Sequence, residues 1–231
     1  MIGPHVTLGP GTRLLGHVFL DGRTTLGAEC TVFPFASIGT QTQDLKYAGG
    51  VTYVEIGDGT TLRESVTVNS GTAEGEVTRV GKRCHIMAYA HVAHACRVGD
   101  GVIMGNCTAL AGEVQVEDNA IISALCGVHQ FTRVGCMSMT GGMTKVAQDV
   151  PPYMLVEGNP PVVHGVNSVG LKRRNVAPRT VELLKQAYRL LYREGLATRA
   201  ALDRIRAEVE RCPEVEHLIE FVAASERGII K

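Results

Sequence analysis

The sequence has no tryptophan, and only 5% of its 231 residues are aromatic, so large rings cannot fill its interior. It also lacks an excess of either charge, because 23 lysine and arginine residues balance 23 aspartate and glutamate residues. This balance removes the long-range field by which nucleic-acid-binding and membrane-surface proteins attract their partners, so we expect no nucleic-acid partner. The longest apolar runs are far too short for a membrane span.

Cysteine pairing is absent as well. The seven cysteines are an odd number, and no two of them form a Cys-x-x-Cys pair, which favours a reduced protein over a disulfide-linked scaffold. The N-terminal segment from Met1 to His5 has neither the basic nor the apolar region of a secretory signal. The sequence therefore predicts a cytoplasmic protein.

The chain instead contains a six-residue repeat. An aliphatic anchor recurs at every sixth residue from Ile2 to Val146, and a small residue such as Cys30 or Ala36 follows four positions after each anchor. No helical period gives this pattern, and an alternation of two would not reset every six residues. Four positions in the register are not aliphatic: Asp44, Gly50, Glu74 and Thr140.

The repeat predicts an all-β fold, a left-handed parallel β-helix. Each hexad forms one short strand and a corner, three hexads close a triangular coil, and stacked coils bury a continuous aliphatic prism. Four cysteines fall in the small interior positions, where core filling is a better interpretation than metal or redox chemistry. These are Cys30, Cys84, Cys96 and Cys126. No metal and no cofactor are therefore expected.

The register ends near Val150, and the later residues have a different character. The sequence predicts three units, a β-helix at 1–150, an extended connector at 151–166 and a small α-helical domain at 167–231. In the last unit, one helix is expected to begin near Pro178 and end before Gly195. Two more helices are expected at about Thr198–Arg211 and Pro213–Ser225.

Two stretches, Thr40–Tyr53 and Ser70–Val77, interrupt the hexads. Both are predicted to be loops that leave the coil at its corners. Loops on a rigid scaffold often carry binding groups, although tolerated insertions would produce the same pattern.

Several motifs, in one order along the chain, resemble the UDP-N-acetylglucosamine acyltransferase family, whose members begin lipid A biosynthesis. The motifs include Gln43-Asp44-Leu45-Lys46-Tyr47, Arg63-Glu64-Ser65-Val66-Thr67-Val68, Ala90-His91-Val92-Ala93-His94, Val128-His129-Gln130-Phe131 and Gly170-Leu171-Lys172-Arg173-Arg174. The resemblance implies a homotrimer that transfers an (R)-3-hydroxyacyl group from acyl carrier protein to the 3-position of UDP-N-acetylglucosamine. The family usually has at least one more coil before the position of Met1.

The resemblance also assigns the chemistry. A sugar hydroxyl is a weak nucleophile, and a neutral imidazole can take its proton. A lone corner histidine is ordinarily a solvated surface residue, but the resemblance implies that His94 is the general base. Gly112 and Gln130 follow at intervals of eighteen residues, so the three should form a column with a spacing of about 4.8 Å. The resemblance implies that the unshielded N–H of Gly112 binds the thioester oxyanion.

Further substrate contacts are implied by the resemblance. The positions are Asp44, Lys46, His91, Glu113, His129, Gln130, Gly142, Asn167, Arg173 and Arg174. Gly142 corresponds to the end of the acyl groove, which a glycine leaves open and Met143 could block again. The basic cluster from Lys172 to Arg174 suits either phosphate or the acidic carrier protein, and a plain solvated face also remains open.

The chain departs from the family pattern beside the expected base. Ala95 replaces the aspartate that usually follows the catalytic histidine, and Glu113 stands where histidine is common. Because Glu113 lies eighteen residues beyond Ala95, we hypothesise that its carboxylate reaches back one coil and supports His94.

Three rival hypotheses remain open from the sequence. A zinc-dependent carbonic anhydrase on the same coil needs three converging histidines, and no third histidine stacks with His91 and His94. A non-catalytic protein could bind nucleotide sugar or carrier protein without turnover. The same fold could also acylate a 3-amino sugar and form an amide.

Overall fold

The computed structural model describes residues 1–231 and contains three sheets that form the sides of a triangular prism and are parallel except for the last strand of one of them. Sheet I contains β1 (Thr7–Leu8), β4 (Arg23–Leu26), β7 (Tyr53–Ile56), β10 (Val77–Val80), β13 (Arg97–Val98), β16 (Gln115–Val116) and β19 (Arg133–Val134). Sheet II contains β2 (Arg13–Leu14), β5 (Thr31–Val32), β8 (Thr61–Leu62), β11 (His85–Ile86), β14 (Ile103–Met104), β17 (Ile121–Ile122), β20 (Met139–Thr140), β22 (Met154–Gly158) and β23 (Pro161–Val166). Sheet III contains β3 (Phe19–Leu20), β6 (Ser37–Thr40), β9 (Thr67–Asn69), β12 (His91–Val92), β15 (Ala109–Leu110), β18 (Gly127–Val128) and β21 (Lys145–Val146).

The chain runs from sheet I to sheet II to sheet III in each coil, so the prism has three corners, which we name I–II, II–III and III–I. Strand partners in neighbouring coils lie eighteen residues apart, as His91 does from Ala109. Where a loop leaves the coil, strand partners are more than eighteen residues apart. His91 therefore pairs on its other side with Thr67 of the preceding coil. Equivalent hexad positions therefore form columns along each face and corner.

The predicted core is confirmed except in the first coil, where the anchors Ile2 and Leu8 are exposed. Anchors such as Leu20 and Val92 are fully buried, and so are small residues such as Ala36 and Ala90. The four interior cysteines are also buried, and each thiol donates to a backbone carbonyl. Burial raises the pKa of Cys96 to about 12, which keeps its thiol neutral. These cysteines act as small apolar core residues, as the repeat predicted.

The segment 151–166, expected to be an extended connector, forms a hairpin that continues the prism. Strand β22 pairs in parallel with β20, and β23 returns antiparallel beside it. The reason is that Met154, Val156 and Val163 are buried, so this segment still supplies one apolar face to the core.

Four helices follow the hairpin: α1 (Ser168–Arg173), α2 (Pro178–Tyr192), α3 (Thr198–Glu208) and α4 (Pro213–Ala223). The predicted starts at Pro178, Thr198 and Pro213 are confirmed. Helices α3 and α4 end slightly before the approximate predicted ends at Arg211 and Ser225, because Val209 already has an extended backbone and Ala224 caps α4. None of the helices has the length and apolar character needed to cross a bilayer.

The helices are fastened to the last coils through Asp149, whose side chain is almost fully buried. Its carboxylate accepts hydrogen bonds from Arg133 N (2.8 Å), Arg133 Nε (3.1 Å) and Ser225 Oγ (2.8 Å). The same guanidinium lies 4.0 Å from the centre of the Phe221 ring on α4. A buried carboxylate and its cation thus hold the helical unit against sheet I.

Candidate active site

Both predicted loops leave the prism at corner III–I. One connects β6 to β7 and the other connects β9 to β10, so they lie in successive coils and contact each other. Thr42 Oγ1 lies 3.2 Å from Thr72 Oγ1, and the Val51 amide donates to Glu74 at 2.8 Å. The expectation that the interruptions form corner loops is confirmed, and they share one corner.

His94 lies at this corner in the next coil, just after β12. Its Nε2 is 3.7 Å from Asp44 Oδ2, and 15% of its side chain is exposed. The other carboxylate oxygen of Asp44 accepts a hydrogen bond from the Lys46 amide (3.0 Å), while the Asp44 amide donates to Thr42 Oγ1 (3.1 Å). The loop backbone therefore fixes one oxygen of Asp44 and turns the other toward the imidazole.

The second ring nitrogen of His94 has no partner. Nδ1 is buried, and no donor or acceptor of the chain forms a hydrogen bond with it. The adjacent residue is Ala95, which cannot supply the carboxylate that the family pattern has at this position. An unpaired nitrogen costs stability, and the imidazole lacks the acceptor that would fix its tautomer.

Gly112 lies directly above His94 in the next coil. A Cβ atom at Gly112 would lie 2.1 Å from His94 Nε2, so any other residue there would displace the imidazole. The Gly112 N–H forms no hydrogen bond within the chain. The corner therefore presents a proton acceptor and a free N–H donor within one coil spacing.

The column continues to His129 and Gln130 in the following coil. The Phe131 amide donates to the Gly112 carbonyl (3.2 Å), which fixes the two coils in register. His129 Nδ1 lies 3.1 Å from the Gln130 carbonyl oxygen, and this hydrogen bond is exposed. The predicted stacking of His94, Gly112 and Gln130 is thus confirmed.

His91 lies on the outer side of sheet III, where Thr67 Oγ1 is 2.7 Å from its Nδ1. Burial lowers the pKa of His91, and the nearby charge of His94 lowers it further. His91 is therefore neutral at physiological pH and adds no positive charge beside His94.

The hypothesis that Glu113 supports His94 is wrong in this structure. No oxygen of Glu113 comes within 4.0 Å of a His94 ring nitrogen, and the nearby carboxylate is that of Asp44. The reason is the left-handed backbone of Glu113 (φ 60°), which follows Gly112 at the bend into sheet I. Glu113 instead lines a cavity of about 1180 Å³ on sheet I together with Ala95, Arg97 and Arg133.

The remaining predicted residues lie at the other two corners. Gly142 is at corner II–III, where a Cβ atom would meet only the Ala124 carbonyl oxygen at 3.5 Å. Asn167 caps α1 near corner I–II, where its Nδ2 donates to the Met137 carbonyl oxygen (2.9 Å). Arg174 there donates to Asn119 Oδ1 (2.6 Å), and Arg173 is exposed. One protomer does not bring these residues to His94.

Comparison with known proteins agrees with this geometry. A family model described as UDP-N-acetylglucosamine O-acyltransferase, domain 2, matches residues 149–230, and a bacterial transferase hexapeptide model matches residues 78–112. The chain is 46% identical to an acyl-[acyl-carrier-protein]–UDP-N-acetylglucosamine O-acyltransferase of Thermodesulfovibrio yellowstonii, over all of this chain and 90% of the relative. The chain belongs to the UDP-N-acetylglucosamine acyltransferase family.

Solved structures of the family give the same result. The acyltransferase from Bacteroides fragilis superposes with a TM-score of 0.95 at 38% identity, covering 100% of this chain and 97% of that one. The Acinetobacter baumannii enzyme superposes with a TM-score of 0.94 at 37% identity, covering 100% and 93%. The fold is therefore a left-handed parallel β-helix with a small C-terminal helical domain, as the hexads predicted.

Sequence reasoning placed Asp44 among the substrate contacts but missed its approach to His94. A signal was present, because Asp44 occupies an anchor position of the hexad register, where a charged residue cannot enter the prism. The only sequence signal for the unpaired Nδ1 of His94 was indirect, namely the alanine at position 95. No sequence signal pointed to the arginines that line the cavity on sheet I, since outward strand positions are polar in any such coil.

Proposed function

We propose that the chain transfers an (R)-3-hydroxyacyl group from acyl carrier protein to the 3-hydroxyl of UDP-N-acetylglucosamine, the first step of lipid A biosynthesis, in the cytoplasm. The observation that carries the proposal is the stack of the His94 imidazole beneath Gly112, with Nε2 facing Asp44. The names of the relatives supply the two substrates.

The reaction follows from this stack. His94 Nε2 takes the proton of the sugar hydroxyl as its oxygen forms a bond to the thioester carbonyl carbon. The carbonyl oxygen becomes an oxyanion, which the Gly112 N–H stabilises. The intermediate then collapses, the carbon–sulfur bond breaks, and the imidazolium returns its proton to the departing thiolate. Asp44, 3.7 Å from Nε2, stabilises the positive charge of His94 between these two steps.

We assign the substrate contacts by their position in the fold. Gln130 lies in the column above Gly112, His129 precedes it, and Lys46 lies in the loop that carries Asp44, so all three suit the sugar and the acyl carbonyl. Glu113 faces the charged cavity on sheet I, where it could contact the sugar from the other side. His91 is neutral and half-buried, which suits a hydrogen bond to the acceptor sugar.

We propose a homotrimer because the candidate residues lie at three different corners of one prism. A site that contains His94, Gly142, Asn167 and Arg173 can be assembled only if other copies supply corners II–III and I–II. Three copies related by a threefold axis would repeat this exchange and close the assembly.

Corner II–III carries an apolar ridge that suits such a contact. Four large side chains are exposed along it by 58 to 72%: Phe35, Tyr89, Leu125 and Met143. Aligned exposed apolar residues of this kind mark a protein contact surface. Light scattering should give three chains per particle, and the double change Leu125→Glu with Met143→Glu should give monomers. A parent protein that is monomeric at micromolar concentration contradicts the trimer.

The basic cluster is proposed to bind the nucleotide or the carrier protein. Arg173 is exposed and its guanidinium is suited to phosphate. Arg173→Ala should raise KM for one of the two substrates more than it lowers kcat, because it removes binding shared by ground and transition states.

An acceptor with a 3-amino group is a second candidate, favoured by the unpaired Nδ1 of His94. An amine is a stronger nucleophile than a hydroxyl and needs less help from the base. A mass-spectrometric assay with acyl carrier protein thioesters and either sugar nucleotide separates the two. Ester formation on UDP-N-acetylglucosamine, lost in His94→Ala and kept in the exposed control His164→Ala, supports the proposal. Exclusive amide formation supports the second candidate, and no turnover leaves a binding protein.

A further inference from the structure

A cluster of three metal-ligating side chains lies at corner I–II, away from the His94 corner. Glu117 follows β16, Cys136 follows β19 in the next coil, and His217 lies on α4. One donor atom from each of the three lies within 4.8 Å of the others. Among the histidine, cysteine, aspartate and glutamate side chains of the chain, this is the one group of three with such spacing, and it contains neither His91 nor His94.

The contacts orient these groups toward one another. Glu117 Oε2 lies 3.2 Å from His217 Nε2 and accepts the Cys136 amide at 2.8 Å. Cys136 Sγ lies 3.5 Å from His217 Nδ1. The hydroxyl of Tyr153 lies 3.1 Å from the same Nδ1, so this nitrogen faces the thiol and the phenol while Nε2 faces Glu117.

Cys136 differs from the interior cysteines in its hexad position. Cys30, Cys84 and Cys126 fill small interior slots, where each thiol donates to a carbonyl. Cys136 is at a corner, is only partly buried, and faces a histidine and a carboxylate instead. Cys136 is therefore not a core-filling residue like the interior cysteines.

We propose that Glu117, Cys136 and His217 form a zinc-binding site that fastens α4 to the coil. Sulfur, imidazole and carboxylate donors are the set that Zn²⁺ prefers. In a tetrahedral zinc site the donor atoms stand about 3.3 to 3.8 Å apart, so contraction by about 1 Å is sufficient. A cavity of about 620 Å³ touches all three residues and gives access for the ion and a water as fourth ligand.

The site has a structural consequence for its surroundings. Met137, the residue after Cys136, accepts the hydrogen bond from Asn167 that holds the start of α1. Binding of zinc would therefore stiffen the segment that carries Arg173 and Arg174. The sequence led us to expect no metal, because the interior cysteines fill the core and no third histidine stacks with His91 and His94.

The first test measures zinc on the intact protein. After chelator treatment and dialysis, the parent should take up one zinc per chain in a competition titration against a chromophoric chelator. Cys136→Ser and His217→Gln should each weaken binding by more than ~100-fold, since loss of outer-sphere partners alone costs 10- to 100-fold. The controls Cys107→Ser and His164→Gln, both exposed elsewhere, should bind as the parent does.

The second test does not depend on the variants folding. Cobalt-loaded parent protein should show a sulfur-to-cobalt charge-transfer band, which a Cys136 ligand would produce. A parent that binds no zinc at micromolar concentration, or a cobalt form without this band, overturns the proposal. So does a folded Cys136→Ser that keeps parental zinc affinity. The cluster would then be a hydrogen-bonded contact between α4 and the coil.

Discussion

At corner III–I, His94 Nδ1 is buried without a partner and the Gly112 N–H forms no hydrogen bond within the chain. At the junction between the last coils and the helices, the carboxylate of Asp149 accepts three hydrogen bonds and pairs with Arg133. The same stack of hexads supports both regions. Polar groups are therefore hydrogen-bonded within the chain where the helical domain is held, and are left unpaired where the substrate would bind.

At corner III–I, the substitution Gly112→Ala should have the largest effect on turnover. The new methyl would lie 2.1 Å from His94 Nε2, so the imidazole must move, and the oxyanion donor becomes shielded. We expect turnover to fall by about 10²- to 10³-fold, the effect of losing one oxyanion donor. The control is Gly127→Ala, where a Cβ atom would meet nothing within 4 Å. Parental turnover in Gly112→Ala would remove this glycine from the mechanism.

At the junction between the last coils and the helices, Asp149→Ala should lower the stability of the fold. It leaves the guanidinium of Arg133 without its buried partner, and we expect a loss of about 3 kcal/mol in the free energy of unfolding by urea. The control is Glu55→Ala, which breaks an exposed ion pair with Arg79 and should cost less than about 1 kcal/mol. Equal losses in the two variants would refute the contrast in pairing.

Asp44→Asn tests whether the loop carboxylate serves His94. The amide keeps the shape and removes the charge that stabilises the imidazolium, so turnover should fall roughly tenfold, about 1.4 kcal/mol in the barrier. Asp203→Asn, on the exposed side of α3, is the matched control and should have no effect. An Asp44→Asn enzyme with parental turnover would return Asp44 to a binding role, visible only in KM.

The smallest expected effect concerns His91. Its pKa is lowered in the folded state, so the unfolded chain binds the proton more readily and the folded state loses stability as pH falls below the ordinary value of about 6.5. His91→Gln should lose less stability than the parent between pH 6.5 and 5, measured by urea unfolding. The exposed control His164→Gln should follow the parent. A parent curve that is flat over this range contradicts the burial argument.

The hexad period made the prism predictable, because one anchor every six residues leaves few ways to bury the chain. It also predicted the column of His94, Gly112 and Gln130, since eighteen residues return the chain to the same corner. It could not predict side-chain direction at the bend. Glu113 was placed in the correct coil, but its left-handed backbone turns it toward sheet I.

In the loops and the connector as well, side-chain contacts and strand pairing could not be predicted from the sequence. The break at Asp44 predicted a loop, but its contact with His94 depends on hydrogen bonds to Thr42 and Lys46 that no spacing encodes. The prolines of 151–166 suggested an extended connector. The buried faces of Met154 and Val163 instead continue sheet II as a hairpin, because tertiary packing overrides the local signal.

We propose that His94 is the general base at corner III–I, where its own Nδ1 and the Gly112 N–H are unpaired. The most direct measurement is the single-turnover rate of acyl transfer by His94→Ala, with thermal unfolding measured on the same sample. We expect a fall of at least ~10²-fold with an unchanged or raised unfolding temperature, because the variant removes a buried, unpaired nitrogen. A folded His94→Ala protein that transfers the acyl group at the parental rate would contradict it.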